Sequence, residues 1–151
     1  MNRQNTSEKR MEKKKFRPLV DKIFIISEIV CLLCLVAMTL LAGRSLVAII
    51  IVFLVDAAVL YLLISHFFGY VELREETLFI KYGIFLKKEI AYKDIRKITK
   101  ERKLYSDATV SLKCAVEHIN IKYNSFDVTA VSVVGNDELI AELNARRASF
   151  E

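Results

Sequence analysis

Apolar residues fall in two patterns along this chain. From Ile23 to Phe68 they run almost without interruption, and from Tyr70 onward they alternate with charged residues in short stretches. The run Ile23 to Ala42 (IFIISEIVCLLCLVAMTLLA) is long enough for a helix to cross a hydrocarbon core of about 30 Å. A second run, Leu46 to Phe68, is slightly longer, and only Gly43, Arg44 and Ser45 separate the two. So short a connection makes the two helices antiparallel neighbours. Neither has the polar stripe of a soluble amphipathic helix, and the rest of the chain has too little surface to wrap both. A cleaved signal peptide would need a shorter run and a small-residue cleavage site. The pattern therefore predicts a transmembrane hairpin over residues 22–68, with spans at about 23–42 and 46–68.

Beyond Tyr70 the runs YVELRE and TLFIKYG flank a polar Glu75-Glu76 turn and read as a β-hairpin. IFLKKEIAY follows Gly83, then DIRKITKER, with Ile95 and Ile98 directed at a core. HINIKYN and DVTAVSVV read as further strands, and Gly135-Asn136 breaks the last. In DELIAELNARR, Leu139, Ile140 and Leu143 recur at helical spacing. Asn136 or Asp137 is the expected cap, Asp137 and Glu138 suit the N-terminal dipole, and Arg146 and Arg147 suit the C-terminal end. Strands followed by one terminal helix predict an α+β unit, a small antiparallel sheet structure with the helix packed on it.

Charge refines this picture. The net charge is +5, but Arg3, Lys9, Arg10, Lys13, Lys14, Lys15 and Arg17 crowd the N-terminus against only Glu8 and Glu12. The basic pI thus belongs to a tail (residues 1–21) rather than to the folded part, which argues against a nucleic-acid partner. Lys13, Lys14, Lys15, Arg17 and Lys22 precede the first span; Arg74, Lys81, Lys87 and Lys88 follow the second; the turn holds only Arg44. That asymmetry predicts a multi-pass cell-membrane protein with both termini in the cytoplasm. The tail is expected on anionic headgroups, at about 1 kcal/mol per cation, with His66, Phe67, Phe68 and Tyr70 at the inner interface. The second basic run, Lys87, Lys88, Lys93, Arg96, Lys97, Lys100, Arg102 and Lys103, has two open readings: contact with anionic lipid, or edge-strand lysines that block aggregation.

Candidate chemistry is sparse. His66 and His118 have no metal-ligand spacing, and no nucleophile elbow, phosphate loop or dinucleotide fingerprint occurs. No catalytic residue, metal or cofactor is therefore expected. Cys31 and Cys34 form a C-x-x-C, but inside an apolar span packing is the expected role. Three cysteines in all, without framework spacing, imply no disulfide scaffold. The two acids within the spans, Glu28 and Asp56, are functional candidates by default. Asp56 should lie about 15 Å from the outer end of its helix, level with Cys31, with Glu28 one turn away and no cation at either level. Three outcomes stay open. Both acids are neutral and bonded to backbone or to each other; they meet a cation on a membrane-protein partner or a second copy; or they carry a proton or cation.

The segment YVELREETLFIKYGIFLKKEIAYKDIRKI resembles the start of a bacterial pleckstrin-homology (PH) domain, particularly the YyaB-like group, through Leu78, Ile80, Gly83, Ile90, Tyr92, Asp94, Ile95 and Ile98. HINIKY resembles that family's later strand through Ile119, Ile121 and Tyr123, and DELIAEL its closing helix. The chain departs from the pattern at KCAVE, between Ser111-Leu112 and HINIKY, and at Val134-Gly135. The resemblance implies a cytoplasmic PH-like domain over 70–151, two packed antiparallel sheets forming nearly a barrel closed by the C-terminal helix. It implies a non-catalytic module that binds a protein or an anionic lipid surface. Within the motif, Gly83 is expected to need a positive φ, Asp94 to accept turn amides, and Tyr92 to be structural. The first hairpin loop, Arg74-Glu75-Glu76-Thr77, is too acidic to receive phosphoinositide phosphates. The alternative is an oligomeric accessory subunit of a channel or transporter, using Glu28 and Asp56.

Overall fold

The computed structural model describes residues 13–41, 45–106, 108 and 110–150. Most of the basic tail and two residues of the expected turn, Gly43 and Arg44, lie outside the described residues. Helix α1 spans Lys22–Leu41 and α2 spans Leu46–Ser65; neither contains Gly or Pro. Both are long and apolar enough to cross a membrane. No residue of α1 is buried by the rest of the chain, and Leu33, Leu40, Phe53 and Leu54 stand largely exposed.

The remainder forms two four-stranded sheets and one helix. The first sheet takes the order β1 (Lys14–Phe16), β2 (Tyr70–Leu73), β3 (Thr77–Lys81) and β4 (Lys87–Ala91), all antiparallel. A single 3-10 turn, Tyr92–Asp94, leads to the second sheet. Its strands are β5 (Ile95–Arg102), β6 (Val110–Leu112), β7 (Glu117–Tyr123) and β8 (Asp127–Val131), in the order β5-β7-β8-β6. Helix α3 spans Asn136–Ala148. Between the sheets Val71, Leu73, Leu78, Ile80, Leu112, Ile119, Ile121 and Val131 are fully buried, and α3 adds Leu139 and Leu143. Alternation places these residues on one face of each strand. The Tyr82 hydroxyl meets Thr129 Oγ1 at 2.6 Å within this interior, and burial pushes its pKa up to about 12.

Four expectations need correction. The sheets remain two separate ladders, so the barrel is not closed. Strand β6 runs parallel to β8, so the second sheet is mixed. The reason is connectivity: β6 skips its sequence neighbour β7 and takes the far edge, where its direction matches that of β8. The extra residues of KCAVE make this crossover possible. Thirdly, Lys14–Phe16 is not tail but an edge strand, its register fixed by Phe16, which is 4% exposed. Finally, neither Asn136 nor Asp137 caps α3. The cap position is Gly135 at φ +90°, and Asn136 Oδ1 instead accepts the Val133 N–H at 3.0 Å.

Candidate functional site

The helices meet the sheets through a small set of polar contacts centred on Asp21. Its Oδ1 accepts the Phe24 N–H at 2.9 Å, the third residue of α1, which is N-cap geometry. Its Oδ2 accepts the Val116 N–H at 2.6 Å, in the β6–β7 crossover. Its own N–H donates to Cys114 O at 3.1 Å. One carboxylate thus starts the first apolar helix and fastens it to the second sheet. Sequence reasoning missed this residue. The available signal was an Asp one position before a long apolar helix.

At the other end of the joint α2 runs through a 3-10 turn, His66–Phe68, directly into β2. Gly83 has φ +144°, and a Cβ there would lie 2.9 Å from Ser65 Cβ, so the loop after β3 passes against the end of α2 only because residue 83 is glycine. Between strand β1 and the start of β2 lies a groove of about 480 Å³, lined by Lys15, Arg17, His66, Phe67, Phe68 and Tyr70. The Lys15 ammonium stands over the Tyr70 ring at 3.7 Å, a cation–π contact.

The two helix acids are not neighbours. Glu28 Oε1 approaches His66 Nδ1 to 3.2 Å at the sheet end of the hairpin. Asp56 Oδ2 lies 2.7 Å from Thr39 Oγ1, two residues before the end of α1. The expected level of Asp56 with Cys31 is therefore wrong by about two turns. His66 follows Asp56 by ten positions, just past the end of α2, so the acids are about 15 Å apart along the helix. In this register each acid stands beside a polar side chain, Glu28 beside His66 and Asp56 beside Thr39. Neither needs a second chain for that contact. Thr39 Oγ1 also lies 2.9 Å from Leu35 O.

The expected basic residues are spread over several elements. Lys14 turns to α3 and pairs with Glu138 at 2.7 Å and Glu142 at 3.2 Å, whose carboxylates raise its pKa. Lys13 and Lys15 are exposed; Lys15 and Arg17 line the groove, while Lys13 precedes β1 at the Leu73 end of the first sheet. Lys87 pairs with Lys81, and Lys81 with Tyr70, so Lys87 and Lys88 stand at the end of the first sheet next to α2. Arg96 and Lys97 open β5 in the second sheet, and the Lys88 ammonium reaches toward that sheet, 4.8 Å from the ring of Tyr123, the cross-strand partner of Ile95.

The remaining candidates are structural. Tyr92 is fully buried and donates to Arg74 O at 2.8 Å, an oxygen that also accepts Arg146 Nη1 at 2.7 Å. Asp94 acts through its backbone carbonyl, which accepts the Asn124 N–H at 3.1 Å, and Ile95 packs in the core. His118 is buried and its Nδ1 donates to Val116 O. Cys114 is buried, and burial together with Glu28 and Asp21 pushes its thiol to about 12, far from nucleophilic use. Among the described residues no group of three or more His, Cys, Asp or Glu side chains could hold a metal ion.

No curated protein and no solved structure matches the chain. The family model for the bacterial PH domain matches residues 69–147, from Gly69 at the start of β2 to Arg147 near the end of α3. That match takes in seven of the eight strands and the closing helix, over more than half of the chain, and the protein belongs to the bacterial PH domain family.

Proposed function

We propose that α1 and α2 cross a bilayer as a hairpin and hold the PH domain on the cytoplasmic leaflet, where it serves as a non-catalytic interaction module for lipid or protein. The observation that carries this reading is the pairing of two helices that are apolar all round with a PH domain joined to both of them without a linker. In water such helices would expose a continuous apolar surface far larger than a soluble monomer carries. The charge asymmetry around the spans supports cytoplasmic termini. The cations of the groove, Lys15 and Arg17, and the Lys81–Lys87 end of the first sheet support an anionic headgroup as the lipid contact. Placement in the YyaB-like group rests on the L-x-I-x-x-G and I-x-Y-x-D-I residues.

The test is alkaline extraction of membranes containing the full chain, followed by protease digestion of a C-terminal tag in oriented vesicles. The chain should stay with the bilayer, and the tag should be cut only where the cytoplasmic face is exposed. Release into the alkaline supernatant rejects the anchor, and cleavage from the opposite face rejects the orientation.

A further inference from the structure

The loop between β3 and β4 ends in Ile84, Phe85 and Leu86, which are 44%, 77% and 59% exposed. Hairpin tips are ordinarily polar, and three consecutive exposed apolar residues need a reason. The Phe85 ring stacks on Tyr61 of α2, with centroids 5.7 Å apart and planes at 27°. Tyr61 lies one turn inside the end of α2, so the loop climbs beside the helix by about 6 Å rather than turning away from it. The close passage of Gly83 over Ser65 holds this course. Lys81 and Lys87 face each other at the base of the loop, and Lys88 follows. On the α1 side Leu104, 74% exposed, lines a groove with Ile23 and Phe24 and is preceded by Lys103. An apolar tip over a cationic base, set against an apolar helix, is the pattern of a segment seated at a membrane interface.

We propose that the β3–β4 loop is inserted in the same bilayer that α2 crosses, with Phe85 at the level of the first acyl carbons and Lys81 and Lys87 among the headgroups. This rests on the anchoring reading above. The surroundings of Tyr61 and Phe85 are continuous, so a medium that solvates one solvates the other. The insertion fixes the tilt of the domain. It leaves α3 and the Arg74–Thr77 turn, at the opposite end of the first sheet, as the surface offered to the cytoplasm.

The chain has no tryptophan, so single substitutions give a clean depth reporter. The full chain is reconstituted in vesicles whose phospholipid acyl chains carry bromine, and the emission of Phe85→Trp is compared with that of Phe53→Trp in mid-α2 and Phe150→Trp beside Tyr92. Phe85→Trp should emit in the blue and lose most of its intensity when bromine is near the carbonyl end of the chains. Phe53→Trp should be quenched by bromine deep in the chains, and Phe150→Trp not at all. Unquenched Phe85→Trp beside quenched Phe53→Trp overturns the loop insertion and leaves the hairpin standing. Absence of quenching at both positions removes the anchor and the insertion together. Equal quenching at Phe85→Trp and Phe150→Trp overturns the orientation on which the insertion depends.

Discussion

Asp21→Ala should loosen the joint between hairpin and domain. The substitution deletes two carboxylate hydrogen bonds, to Phe24 N–H at 2.9 Å and Val116 N–H at 2.6 Å, and keeps the backbone bond to Cys114 O. Loss of an N-cap costs about 1 kcal/mol. Loss of a hydrogen bond to a charged acceptor costs about 1.5–3 kcal/mol, with the Val116 amide left unpaired at a half-buried position. Both bonds belong to one side chain and overlap in effect, so about 2–4 kcal/mol in total is expected. Asp21→Asn keeps one acceptor oxygen, can satisfy one of the two amides, and should fall between parent and alanine variant. The assay is denaturant unfolding of the full chain in detergent micelles, followed by the circular dichroism of the sheets, with amide exchange at Val116 as the local readout. An alanine variant within about 0.5 kcal/mol of the parent, the range of an inconsequential surface change, refutes the argument. So does an unaltered Val116 exchange rate.

Gly83→Ala should cost about 1–3 kcal/mol, because φ +144° is glycine territory and the new methyl meets Ser65; a melting temperature equal to the parent's would contradict this. Tyr92→Phe should cost about 1 kcal/mol, read from the unfolding midpoint, since Arg146 still donates to Arg74 O after the hydroxyl is gone. Acid should destabilise the domain. Glu117 is held below the usual carboxylate range by hydrogen bonds from Lys100 and then Asn136, and Glu101 chiefly by Lys103. A depressed carboxyl contributes its stability above the unfolded pKa and gives it up as pH falls through the folded one. The melting temperature should therefore decline as pH drops through and below about 4, less steeply in Glu117→Gln; an identical slope would show that this carboxylate is uncoupled from folding.

The legible parts of this protein are those that repeat locally. The two apolar helices were readable because only isolated polar residues interrupt them over enough residues to define a length. Strands β2, β3, β7 and β8 were readable from alternation, and α3 from Leu139, Ile140 and Leu143. Strand β1 was hidden because Lys14–Phe16 shows a single apolar residue among cations, and its pairing with β2 lies across the whole hairpin. The capping of α3 was misassigned because Asn136 had a better offer from Val133 and Glu117, neither visible locally.

The sequence by itself determined the division into apolar hairpin and alternating sheet domain, the family motif, and the presence of two acids in the helices. Periodicity, length and charge balance act over a few turns or strands, and those are what a linear pattern records. Only the tertiary structure decided which polar groups find each other: Glu28 with His66, Asp56 with Thr39, Asp21 with Val116, Lys14 with α3. It also set Phe85 beside Tyr61. These contacts join residues up to 128 positions apart. They are selected by what the packed chain leaves unpaired, and a polar group away from water takes the partner that the fold brings within reach.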